Sequence, residues 1–150
     1  MKIFDKDLVL LQQDIASKGH AICKMIDVLY QNGKLSDKDQ FTRDVYERED
    51  IMSTGIGRGI AIPHGRSSAA NELSCVFMTS KDAINFDSID DKPVSIIFLI
   101  AIPSDVYSEY TKILSQISKS MHDEFLQNAL LKAETVDEAY QLLKGIEDAN

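Results

Sequence analysis

Val94-Ser95-Ile96-Ile97-Phe98-Leu99-Ile100-Ala101-Ile102 is a near-continuous run of β-branched and aromatic residues. A strand with one face in water alternates apolar and polar side chains, whereas this run is apolar at nearly every position, the pattern of a strand covered on both faces. It is expected mid-sheet, with helices above and below. Working outward, residues 73–79 carry Val76 and Phe77 and read as a second strand, Ile60-Ala61-Ile62 as a short third, and residues 7–12 as a fourth. Between them lie helical patterns. Ser17 caps a helix over about 18–32, with Ile22, Met25, Ile26 and Leu29 on one stripe and Gly33 just past its end. Ser36 opens a second helix over about 37–49, with Phe41 and Val45 inward. Pro103-Ser104-Asp105 is expected to start a third, running to about 120 with Tyr110, Ile113, Leu114 and Ile117 on one face, and residues 123–132 form a shorter one. Thr135-Val136-Asp137-Glu138 is a capping box that opens the last helix. Residues 66–71 and 81–93 read as connections.

A length of 150 residues suits one compact domain, and a hydrophobic content of 44% is enough to build its core. The expected architecture is therefore α/β, a single-domain sandwich over residues 1–150 with helices on both faces of the sheet. A net charge of −8 excludes a phosphate-backbone binder, which needs a cationic face, so nucleic acid is not an expected partner. Cys23 and Cys75 show neither a CxxC nor a zinc spacing and read as small core residues in a reducing compartment. Leu8-Val9-Leu10-Leu11 is too short for a signal segment, and no run approaches a membrane span. A cytoplasmic protein with no direct membrane insertion is expected.

Chemistry concentrates in Ser53-Thr54-Gly55-Ile56-Gly57-Arg58-Gly59-Ile60-Ala61-Ile62-Pro63-His64-Gly65. Pro63 has no N–H to give a neighbour and is expected to end the short strand, placing His64 at its C-terminal mouth, where open α/β sheets bind ligands. A Walker loop and a dinucleotide fingerprint both feed a helix; here the glycines feed a strand, which excludes ATP and NAD. What survives is backbone freedom that lets N–H groups converge on an anion. A neutral imidazole keeps one ring nitrogen free to attack phosphorus or an acyl carbon. Arg48, on the inward edge of the helix over 37–49, offers a planar fork for phosphate oxygens; equally, its stem packs while its charge meets the helix dipole. The Ser53 and Thr54 hydroxyls are further candidates to hold a phosphoryl group. Arg66, His20 and His122 read as solvated, and Glu47, Glu49 and Asp50 match no metal-ligand spacing and read as a solvated helix end. Spacing alone leaves open a turn histidine with glycines serving only geometry. It also leaves a hydrolase with Cys75 or Ser53 as nucleophile and His64 as base, for which no orienting acid or oxyanion site is apparent.

Tyr46-Glu47-Arg48-Glu49, then Ser53-Thr54-Gly55-Ile56-Gly57, then Gly59-Ile60-Ala61-Ile62-Pro63-His64 resembles the signature of the fructose/mannitol-type enzyme IIA domains of the bacterial phosphoenolpyruvate-dependent sugar phosphotransferase system. The resemblance extends over nearly the whole chain in the order of elements. It implies a mixed sheet of about five strands and a phosphotransferase in which His64, through Nε2, accepts a phosphoryl group from the phosphohistidine of HPr. His64 then passes it to a cysteine of a IIB domain for sugar uptake. Arg48 matches the family arginine beside the histidine; Ser53, Thr54, Gly55 and Gly57 would help hold the phosphoryl oxygens, and no metal or other cofactor is implied. One departure stands out: where the family carries a second histidine, this chain reads Glu109-Tyr110-Thr111. Tyr110 offers a hydroxyl to the phosphoryl or to His64 but not a histidine's charge. A regulatory, nitrogen-type relative, phosphorylated on the same histidine and acting by binding other proteins, is the second reading. Ile56, Ile60 and Ile62 fit either an apolar docking patch or the core.

Overall fold

The structure, a computed structural model, describes residues 2–148. A 3₁₀ turn at Lys6–Leu8 leads into β1 (Val9–Gln13), α1 (Lys18–Gln31) and α2 (Lys38–Ile51). The glycine-rich stretch then forms β2 (Gly55–Gly57), β3 (Ile60–Ala61) and β4 (His64–Ser67), followed by β5 (Ser74–Ile84) and β6 (Val94–Pro103). Three helices end the fold: α3 (Ser108–Ser120), α4 (Glu124–Lys132) and α5 (Val136–Glu147). The Ser17 and Thr135 hydroxyls accept the N–H groups of His20 and Glu138, the capping the sequence calls for. The cap of α2 is Asp37 rather than Ser36, since its carboxylate takes the N–H of Gln40. Helix α3 begins later than expected because β6 runs on through Pro103, paired with Ser67. Likewise β5 enters the segment expected to be a loop, where Ile84 pairs with Val94 beyond an irregularity in register.

The sheet has six strands in the order β1-β5-β6-β3-β2, with β4 also paired to β6. It is mixed: β1 is parallel to β5, β5 antiparallel to β6, β6 parallel to β3 and β4, and β2 antiparallel to β3. Strand β6 is central, and its side chains alternate between two cores. Ile97, Leu99 and Ala101 join the core under α1 and α2. Ile96, Phe98, Ile100 and Ile102 join the core under α3, α4 and α5, where Phe98 packs edge-on against Phe4 and Phe77. This is the expected sandwich, with β2 and β4 flanking the expected short strand at Ile60–Ala61 as additions that the residue pattern did not announce.

Strand β3 ends before Pro63, as its missing N–H leads one to expect, but His64 then opens β4 instead of standing at a strand's C-terminal mouth. Ile60 and Ala61 sit opposite Ile96 and Ile97, and His64 through Ser67 sit opposite Ile100 through Pro103, so the register along β6 is unbroken across Ile62-Pro63. The Pro63 carbonyl accepts the N–H of Ile100 at 3.0 Å, but the proline nitrogen, on the same side of the extended chain, has no hydrogen to give β6, and the ladder is interrupted there. His64 is held at the start of β4, opposite Ile100 of the buried strand β6. The next residue, Gly65, faces the other core. A Cβ there would lie 2.9 Å from Val45 Cγ2 and 3.2 Å from the Val45 backbone nitrogen, so the missing side chain lets α2 lie directly on β4.

Candidate functional site

Two helices from opposite layers converge on His64. Asp44, Glu47, Arg48 and Ile51 come from α2, His64 and Arg66 from β4, and Tyr107 and Tyr110 from the start of α3; together they line an open cleft of about 500 Å³. On the other side of Arg48 and His64 lies a second, more apolar cleft, formed by residues including Met52, Ser53, Gly55, Ile56 and Ile89. His64 thus forms part of the wall between two depressions, although only 7% of it is exposed.

The ring's two nitrogens have different partners. Nδ1 lies 2.9 Å from the carbonyl of Ile62. A carbonyl only accepts, so Nδ1 carries the hydrogen and the neutral ring presents a bare lone pair at Nε2. The Tyr110 hydroxyl stands 3.5 Å from Nε2, at the outer limit of hydrogen bonding, with the two ring centroids 5.7 Å apart. Burial pushes the imidazole below its ordinary pKa of 6.5, and the positive charge of Arg48 adds to that push, while the Ile62 hydrogen bond and the negative charge of Glu49 oppose it. The net effect keeps the ring neutral, and hence nucleophilic, at physiological pH.

Arg48 is half-buried, and its Nη1 donates to the carbonyl of Met52 at 2.8 Å, which satisfies one carbonyl at the end of α2. Arg48 thus meets the end of its helix, as the packing reading expects, and also lines both clefts beside His64. Ser53 donates its hydroxyl to Phe86 O at 2.7 Å and accepts the Gly55 N–H at 3.0 Å. Thr54 is buried, and both its N–H and its hydroxyl are directed to the Glu49 carboxylate. Gly55 lines the apolar cleft; Gly57, at φ 96°, lines neither, and the following Arg58 N–H is given to Asp90. The structure thus brings Arg48, Tyr110 and Ser53 to the histidine's clefts and turns the Ser53 and Thr54 hydroxyl protons inward.

Several expectations are corrected. Glu49 is not solvated: it follows Phe41 and Val45 at four-residue steps on the buried stripe of α2, and its carboxylate is paired with Lys18 at 2.8 Å. That stripe was the signal available in the sequence; nothing there pointed to Lys18. Cys23 is exposed, because it lies off the Ile22–Met25–Ile26–Leu29 face of α1, whereas Cys75 is fully buried. Ile60 and Ile62 belong to the core, and Ile56 is exposed, with Met52 and Ile89 also exposed around the apolar cleft and Ile51 exposed at the first cleft. Arg66 is exposed, as expected, but it is tied to the Ser104 carbonyl through Nε and Nη2, and its guanidinium lies 5.4 Å from the centre of the Tyr107 ring.

The family model described as "Phosphoenolpyruvate-dependent sugar phosphotransferase system, EIIA 2" matches residues 2–146. The chain is 33% identical over 140 residues to the "PTS system fructose-specific EIIA component" of Haloferax volcanii, covering 93% of this chain and 91% of that protein. It is 32% identical over 136 residues to the "PTS system fructose-specific EIIABC component" of Bacillus subtilis, covering 91% of this chain but only 21% of that longer protein. Among solved structures, the nitrogen regulatory protein IIA-Ntr from Neisseria meningitidis superposes with a TM-score of 0.87 at 26% identity, over 94% of this chain and 96% of that one. Among the described residues, no helix is long and apolar enough to cross a membrane.

Proposed function

The chain belongs to the EIIA 2 family of the phosphoenolpyruvate-dependent sugar phosphotransferase system, and on that premise we propose that it carries a phosphoryl group on His64 Nε2, taken from phosphorylated HPr and given to a IIB domain. The observation that carries this reading is the split of roles on one ring: Nδ1 is engaged by the Ile62 carbonyl while Nε2 faces the cleft that Arg48 lines. The Nε2 lone pair attacks phosphorus, the P–N bond of the donor breaks, and its electron pair returns to the donor's imidazole. The N-phosphorylated ring is then positively charged, and the Ile62 carbonyl stabilises its Nδ1–H. In the second step a cysteine thiolate of the IIB domain attacks phosphorus and His64 leaves as the neutral imidazole.

Arg48 and the Tyr110 hydroxyl are the groups placed to meet the phosphoryl oxygens, and catalysis is mainly positioning and charge stabilisation. Ser53, Thr54 and Gly55 serve by holding the loop beside the ring. The exposed Ile51, Met52, Ile56 and Ile89 form an apolar rim on which successive protein partners dock. The name of the Bacillus subtilis relative, which joins A, B and C components, supports the assignment of a IIB domain as acceptor. The test is incubation with phosphorylated HPr and detection of acid-labile, base-stable phosphate; label that persists in His64→Ala defeats the proposal.

The likeness to IIA-Ntr supports a second reading, in which the same phosphorylation controls a partner protein by binding. Phosphoryl transfer to the cysteine of a cognate IIB domain decides for sugar transport. A stable phosphoprotein that charges no IIB domain decides for regulation.

A further inference from the structure

Glu49 takes no part in the transfer steps above, yet its side chain is only 2% exposed. A carboxylate withdrawn from water needs donors in its place. It has Lys18 Nζ at 2.8 Å, the Thr54 N–H at 3.1 Å and the Thr54 hydroxyl. From Thr54 the order passes on: the Thr54 carbonyl accepts the N–H of Ile62 at 3.0 Å, and the Ile62 carbonyl takes the Nδ1 hydrogen of His64 at 2.9 Å. Each link uses a different peptide group, so this chain transmits position rather than charge. Lys18 anchors its far end. Its ammonium sits 4.8 Å from the centre of the Phe86 ring and 3.5 Å from the Phe86 carbonyl, the same carbonyl that accepts the Ser53 hydroxyl. One buried ion pair thus fixes both residues that lead into β2.

We infer that Glu49, held by Lys18, is a positioning residue for phosphoryl transfer: through Thr54 it sets the Ile62 carbonyl that keeps His64 protonated on Nδ1 and bare on Nε2. This rests on His64 being the phosphoryl acceptor, and its first test is independent of transfer. In the unphosphorylated protein, nitrogen NMR of His64 above its pKa shows one neutral tautomer, with hydrogen on Nδ1; a mixture of tautomers in the wild type overturns the inference outright. Glu49→Gln keeps the side chain's shape and removes its charge. It brings in the Nε2–H tautomer and lowers kcat for transfer from phosphorylated HPr about tenfold or more, with KM within about twofold, because the docking rim is untouched. Glu49→Leu combined with Lys18→Met removes both charges, folds without a stranded ion, and shows the same mixed tautomer and slow transfer. Folded variants that keep a single Nδ1–H tautomer and a wild-type kcat, or that raise KM alone, reduce Glu49 to a structural ion pair. Wild-type label found on a residue other than His64 defeats the transfer reading while leaving the tautomer result intact.

Discussion

His64 loses most of its contact with water on folding yet lines a cleft, with Nε2 toward Tyr110, and that compromise has a measurable pH signature. Its folded pKa lies below the ordinary 6.5, so the unfolded chain binds more protons in the window between the two values. Stability is complete above about 6.5 and declines as pH falls through that window toward the folded pKa. Denaturant titrations from pH 5 to 8 are expected to show this decline in the wild type and its attenuation in His64→Gln. The transfer rate follows the same ring: it holds as pH drops past 6.5 and falls only near the lower folded value, which a proton NMR titration of His64 locates. Arg48→Ala is expected to slow transfer about a hundredfold while costing no more than about 1 kcal/mol of stability, since its Met52 contact is one carbonyl at a helix end. Tyr110→Phe removes a hydroxyl that barely touches Nε2, so stability stays within about 0.5 kcal/mol and transfer slows by less than in Arg48→Ala, as stopped-flow phosphorylation would measure.

At the scale of elements, the site depends on how closely α2 lies on β4. Gly65 permits that contact, and a methyl group there meets Val45 and Phe41. Gly65→Ala is expected to cost about 1–3 kcal/mol by overpacking and to slow transfer as well, because pushing Val45 away carries Arg48, one turn further along α2, away from His64. Gly145→Ala is the matching control. It lies in α5 with open space where its Cβ would go, and is expected to stabilise the protein by about 0.5–1 kcal/mol without altering transfer. Thermal unfolding and transfer kinetics on the two variants separate local geometry from global stability.

For the whole molecule, the two cores lie on opposite faces of the sheet, and β6 contributes to both. The thiols report on this interior. Cys75 is fully buried, and burial raises its thiol well above the ordinary range, whereas Cys23 is exposed. An aromatic disulfide reagent is expected to titrate one thiol rapidly in the native protein and the second only at the rate of global opening. The sequence by itself determined the layered α/β class, because the apolar run Val94–Ile102 has no polar face to leave in water and the 3.6-residue stripes of the helices supply its covers. It also singled out His64 and Arg48, since a glycine-bounded histidine and an arginine breaking an apolar stripe are local anomalies. The tertiary structure alone decided what those anomalies share. Register along β6 sets His64 at the start of β4 beyond Pro63, the carbonyl of Ile62 takes the Nδ1 hydrogen, and Lys18, from a different helix, makes the burial of Glu49 tolerable. The pairing with β6 and the Lys18–Glu49 contact join segments whose separation along the chain leaves no periodic trace, and although Ile62 and His64 are only two residues apart, the folded backbone is what turns the ring onto that carbonyl.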